Sequence, residues 1–213
     1  MLTTKKLIVP ALIAAGVLVW IAGSRAIADA PKSDAQPQIK LPPGWTEEDM
    51  KACAAAATPG KMHELLAQGA GTWEGKSTMW MGPGSEPVTS DCSSTGAMVM
   101  DGRFLKVDYK GDMMGQPYSG VGTFGFDNVA QKFQCSWMDN CSTGIMTGTG
   151  ELSPDEKSIT WKYTTNCPIT KQPVTVREID TMTGPSTKTM ELFSTDPKSG
   201  KEYKMMSVQF TKK

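Results

Sequence analysis

Histidine is almost missing from this chain: His63 is the sole one among 213 residues. Multi-histidine metal centres are thereby excluded, and a Ser-His-Asp hydrolase is disfavoured. Cysteine is sparse and odd in number, at Cys53, Cys92, Cys135, Cys141 and Cys167. No two of them form C-x-x-C, so a dithiol redox centre or a zinc knuckle has little support. Excess charge is lacking as well, with 22 basic residues against 22 acidic ones. Such a balance carries none of the basic footprint of a nucleic-acid binder. No residue set has the form of a reaction centre, so no catalytic residue, cofactor or metal is expected.

What is present begins with an export signal. Lys5 and Lys6 precede an apolar stretch from Leu7 to Gly23, and the small residues Ala26, Ala28 and Ala30 follow. This order describes a bacterial secretory signal peptide over residues 1–28, with the protein periplasmic or secreted. An uncleaved anchor is the alternative, but Pro10 and the small-residue exit favour cleavage. The membrane is then met only through this segment. Its removal takes three bases and no acid, leaving nineteen bases against 22 acids and a net charge of −3. Residues 29–43 are polar and proline-rich, too poor in apolar surface to order themselves. An exported chain permits disulfides, and the odd cysteine count leaves at least one thiol unpaired within a monomer.

A helical lead-in is expected over residues 44–70. Thr46 and Asp49 fit an N-cap with an acid in the first turn, and Met50, Ala54 and Ala57 share a face of the helix that follows. Thr58-Pro59-Gly60 ends it, and a second short helix covers residues 61–67. From Gly71 to the C-terminus, ten stretches alternate apolar with polar residues, each followed by turn chemistry such as Gly82-Pro83-Gly84, Asp101-Gly102 or Asp127-Asn128. Hairpin-linked alternating strands predict an all-β fold, an antiparallel up-and-down barrel of about ten strands over residues 71–213. Closure removes exposed edges, which favours a monomer. The opening Gly71-Thr72-Trp73-Glu74-Gly75 resembles the start of lipocalin-type barrels, in which an early Trp plugs the closed end.

In a simple meander the loops around residues 82–87, 111–117, 139–144 and 166–173 share one rim, away from the helices, and form a mouth. Tyr109, Met113, Met114, Trp137 and Asp139 are the wall and mouth positions expected to meet a ligand. Cys141 and Cys167 fall in neighbouring mouth loops and are the first pairing expected for a disulfide, provided their Cα atoms approach to about 6 Å. Arg177 and Glu191 oppose one another if their hairpin centres on Gly184. Outward, they make an ordinary ion pair; inward, they recognise a polar head group. Strand parity leaves the choice open, because Ile179 and Phe193 accompany them while Val176 and Leu192 take the other face. Gly120-Val121-Gly122-Thr123-Phe124-Gly125 matches G-x-G-x-x-G, but a β run follows in place of a helix, so these glycines relieve crowding rather than bind a dinucleotide. Fifteen methionines suit an adaptable apolar lining, with a Cu(I) thioether site as the alternative.

Several segments together resemble a bacterial family known as domain of unknown function 1579. They are Gly71-Thr72-Trp73-Glu74-Gly75, Gly102-Arg103-Phe104-Leu105, Tyr109-Lys110-Gly111-Asp112-Met113-Met114-Gly115-Gln116-Pro117, Gly125-Phe126-Asp127-Asn128, Trp137-Met138-Asp139-Asn140, Val176-Arg177-Glu178 and Met190-Glu191-Leu192. The resemblance covers residues 59–213 and implies an exported lipocalin-like barrel with no assigned activity. Two departures are visible: Lys212-Lys213 ends the chain where an Arg is expected, and the cysteines are atypical. The nitrobindins, haem barrels of similar outline, use a late histidine as axial ligand, and this chain has none after Trp73. The expected function is non-catalytic binding of a small, largely apolar molecule. The rivals are a haem- or copper-dependent barrel enzyme and a packed barrel serving as an envelope interaction module, which would hold no pocket above about 300 Å³.

Overall fold

The computed structural model describes residues 41–213; the expected signal peptide over residues 1–28 and most of the polar segment after it lie outside the described residues. Helix α1 (Glu47–Ala57) opens with a capping box. The Thr46 Oγ1 accepts from the Asp49 N–H at 3.2 Å, while the Asp49 carboxylate accepts from the Thr46 N–H at 2.7 Å. The face carrying Met50, Ala54 and Ala57 is not packed, for no residue of α1 is buried. The helix is held by its C-terminal carbonyls instead: Arg103 Nε donates to Ala57 O at 3.0 Å and Asn128 Nδ2 to Thr58 O at 2.8 Å. Unpaired carbonyls at a helix end are natural acceptors for such side chains.

Helix α2 (Lys61–Ala67) is anchored from inside. Leu66 is buried against the barrel core. His63 is buried too, with Nδ1 accepting from the Gly60 N–H at 3.0 Å and its ring edge-on to Phe126 at 6.2 Å.

Ten strands follow: β1 (Gly71–Met79), β2 (Val88–Val99), β3 (Phe104–Met113), β4 (Gln116–Asp127), β5 (Lys132–Asp139), β6 (Met146–Leu152), β7 (Ser158–Asn166), β8 (Pro173–Gly184), β9 (Thr187–Thr195) and β10 (Glu202–Lys212). Each pairs antiparallel with its sequence neighbours, and β10 closes onto β1. Every ladder group therefore has a partner strand, and no sheet edge remains open among the described residues. The helices enter at the end where β1 begins. The loops after β1, β3, β5, β7 and β9 consequently gather at the far rim.

Gly71 makes the turn from α2 into β1 at φ +109°, in the left-handed region. A Cβ there would also displace the end of the flexible Lys212 side chain, 2.6 Å away at Cε, but it is the backbone conformation that calls for glycine. Two buried clusters fill the interior. One runs through Leu66, Leu105, Phe124, Phe133, Cys135, Trp161, Tyr163 and Val176; the other joins Trp73, Cys92, Tyr109, Val208 and Phe210.

The β8–β9 register corrects one expectation. The turn falls at Pro185–Ser186, with an irregularity between Met182 and Gly184, so Arg177 opposes Phe193 and Glu191 opposes Ile179. The slip is two residues, which keeps the faces but breaks the pairing. Arg177 crosses the Phe193 ring at 4.0 Å and reaches Glu202 at 2.8 Å. Glu191 pairs with Lys204 at 2.6 Å. All four charges sit on the outer surface, so neither Arg177 nor Glu191 belongs to the interior.

Candidate functional site

The alternation on β8 turns Val176, Glu178, Asp180 and Met182 inward, and the same rule turns Lys188, Met190 and Leu192 inward on β9. Two adjoining spaces lie between these strands and the opposite wall. A cavity of about 390 Å³ opens among the far-rim loops, and a smaller one of about 120 Å³ lies beneath it toward α2. Tyr109, Trp137, Glu178 and Met190 wall both. Glu178 therefore stands at the floor of the upper space and the roof of the lower one.

Most of the sequence-expected residues are here. Tyr109, Met113, Trp137 and Asp139 line the upper cavity. Tyr109 packs edge-on to Tyr118 at 5.7 Å, to Trp137 at 6.4 Å and to Phe210 at 6.4 Å. Asp139 is committed to holding this wall, accepting from Tyr118 Oη at 3.3 Å, Trp137 Nε1 at 3.2 Å and the Cys141 N–H at 2.9 Å. Room for the Trp137 indole exists because Gly120 and Gly122 face it; a Cβ on Gly120 would overlap the ring. Met114 is different. It occupies the left-handed region beside Gly115 in the two-residue β3–β4 turn, exposed, and joins Met79, Met81 and Val88 in a separate outer groove.

Cys141 and Cys167 both line the upper cavity, yet both are free thiols. The Cys141 Sγ contacts the Met113 Sδ at 3.7 Å. Backbone N–H groups of Thr170 and Ile169, with the Thr170 hydroxyl, hold the Cys167 thiol below its ordinary range. Burial does the reverse to Cys135, pushed up to about 12, and to Cys92.

At the closed end Trp73 is fully buried, its Nε1–H donating to Gly69 O at 3.0 Å. Lys188 Nζ lies 4.7 Å and Lys212 Nζ 5.1 Å from its ring centroid. Lys212 thus stands where an Arg was expected and supplies the same cation over the plug.

Sequence reading missed the groups of greatest chemical interest, Glu178, Asp180, Lys188 and Tyr163. Glu178 and Asp180 stand side by side on the inner face of β8, and Asp180 accepts from Trp161 Nε1 at 3.1 Å. Burial, and then the neighbouring Asp180 charge, lift the Glu178 carboxyl well above its ordinary value. Asp180 is raised by burial against the opposing pull of Lys188, and burial lowers Lys188. Tyr163 is 2 % exposed, and its Oη has no hydrogen-bond partner among the described residues. The signal for this group was the i, i+2 acid pair on β8, but its face could not be assigned while Ile179 and Phe193 decorated the other.

His63 lines neither interior space; it borders an outer groove with Arg103, Phe126 and Asn128. Its role is to cap α2 and pack on Phe126.

The family model described as a protein of unknown function, DUF1579, matches residues 58–212. No curated protein matches the chain. Among solved structures, Rv2717c from M. tuberculosis is similar, at a TM-score of 0.54 and 15% identity, over 73% of this chain and 99% of that one. A redesigned beta barrel is matched at 0.38 and 14%, over 72% of this chain and 99% of its own. At such identities the likeness to Rv2717c bears on the fold alone.

Proposed function

The chain belongs to the family described as a protein of unknown function, DUF1579, and we propose that it binds a small, largely apolar molecule inside the barrel without transforming it. The observation that carries this reading is the cavity of about 390 Å³ open at the far rim. Its volume falls within the range of small-molecule sites, and it exceeds what a barrel packed solid with side chains would leave. Met79, Met113, Met146, Met190, Met205 and Met206 contribute to its walls. Unbranched thioethers repack around different shapes, which suits a binder of varied apolar ligands.

The non-catalytic half of the proposal rests on where nucleophiles and bases sit. The one histidine caps a helix away from both interior spaces. Cys92 and Cys135 are held as thiols by burial, and a thiol is a poor nucleophile; Cys167, the rim thiol that backbone N–H groups hold lower, has no histidine in its cavity to act as its base. Export belongs to the same proposal, supported by the apolar segment from Leu7 to Gly23 and the small residues after it.

Native mass spectrometry of protein isolated from its source without detergent tests the reading. Excess mass that disappears on denaturation is the expected result. A bare chain mass, with no apolar compound retained when supplied, would overturn it.

A further inference from the structure

Resting on that binding reading, we propose that the ligand is a cationic amphiphile, an aliphatic amine whose chain fills the upper cavity and whose ammonium group descends to Glu178 and Tyr163. The charge pattern of the walls is the first reason. Among the described residues lining the upper cavity, the charged ones are Asp112, Asp139 and Glu178, with no Lys or Arg. Asp112 is spent on its turn, accepting from the Gly115 N–H at 2.6 Å, and Asp139 on Tyr118, Trp137 and Cys141. Glu178 alone is left at the floor, backed by Asp180. An anionic head group would find carboxyl groups here and no cation in its own cavity to receive it.

Tyr163 is the second, independent reason. Its Oη is buried, lines this cavity and has no partner. A buried hydroxyl without a hydrogen bond is costly, so the site is incomplete as it stands. An ammonium group carries donors for both the phenol oxygen and the Glu178 carboxylate. Tyr109, Tyr118, Trp137 and Tyr203 also line the cavity and offer π faces that favour a cation over an anion.

Lys188 does not compete for the ligand's place. It lines only the smaller cavity with Asp180, its Nζ over the Trp73 and Phe210 rings. It balances Asp180, while burial and the Asp180 charge favour the protonated form of Glu178. Arrival of an ammonium group expels the Glu178 proton to solvent, so binding is coupled to proton release. The groups facing Glu178 in this step are Asp180 on its own strand, Trp161 and Tyr163 from β7, Lys188 from β9, Cys135 from β5 and Tyr109 from β3; Lys212 of β10 acts on Lys188.

Octylamine, octanol and octanoate, which share one chain and differ in head group, provide the test by calorimetric titration at neutral pH. Octylammonium is expected to bind about tenfold or more tighter than octanol, the worth of a charge-assisted hydrogen bond, with octanoate weakest. Glu178→Gln should bring octylamine to the level of octanol and leave octanol unchanged. Tyr163→Phe should weaken octylamine selectively. Proton uptake by buffer on octylamine binding should vanish in Glu178→Gln. Equal binding of the three compounds, a lead for octanoate, or a preference that survives Glu178→Gln would overturn the proposal while leaving the apolar-binding reading standing. Failure of all three to bind would bring down both. Should Glu178→Gln not fold, the three-compound series on the unmodified protein decides.

Discussion

Replacing Glu178 with Gln should make the barrel more stable in mild alkali and less sensitive to pH. In the unfolded chain this carboxyl titrates near its ordinary 4.5, whereas in the barrel it is lifted well above that by burial and by Asp180. Between those two values the folded protein holds a proton that the unfolded chain has released. Stability is therefore fully present below the ordinary glutamate value and is lost as pH rises toward the folded one, with a limiting slope of about 1.4 kcal/mol per pH unit for one proton. Asp180, also raised, adds to the same sign. The lowered acids Asp49, Asp127, Asp155, Asp196 and Glu202 act oppositely, but their gain is complete by about pH 5, and Lys188 opposes only toward its own alkaline titration. Gln keeps the shape of Glu and has no proton to lose. Urea denaturation across about pH 5 to pH 8 should thus find the parent losing stability with rising pH, by up to about 1.4 kcal/mol per unit, and the variant losing less. Parallel pH profiles would refute a folded barrel that raises the Glu178 carboxyl.

Trp73→Ala should cost about 3–5 kcal/mol, because the ring is fully buried and its N–H bonds Gly69 O; an unchanged melting transition would contradict its role as plug. Gly120→Ala should push the Trp137 indole aside, destabilising by about 1–3 kcal/mol and shifting the tryptophan fluorescence, since a Cβ there overlaps that ring. Limited alkylation of the reduced protein at neutral pH should label Cys167 well before Cys135, because backbone N–H groups stabilise one thiolate and burial suppresses the other; peptide mass spectrometry reads the order.

The barrel was legible because its signal is repeated: ten alternating stretches each ended by turn residues leave few other arrangements. Tyr109, Met113, Trp137 and Asp139 were legible for a related reason, since strand order alone assigns the far-rim loops and the residues leading into them. Arg177 and Glu191 failed on a single turn. The irregularity between Met182 and Gly184 moves the hairpin centre, and no local residue announces it. The same strand hid Glu178 and Asp180, because a face carrying Arg177, Ile179 and Phe193 looks as suited to a core as one carrying Val176 and Leu192. Met114 was misplaced by one position of a turn, where φ of +57° sends the chain outward just past the cavity wall. Cys141 and Cys167 were rightly brought to one rim, yet proximity to a mouth is weaker than the Cα separation and Cβ direction that a disulfide demands.

Calorimetric titration of octanol into the parent protein and into Leu192→Trp decides whether the upper cavity receives an apolar molecule. Leu192 points into that cavity from β9, so a tryptophan there occupies the space a ligand would take. Saturable one-to-one binding by the parent, abolished in a variant that still melts cooperatively, is the predicted result. Equal binding by both proteins, or by neither, would contradict the account.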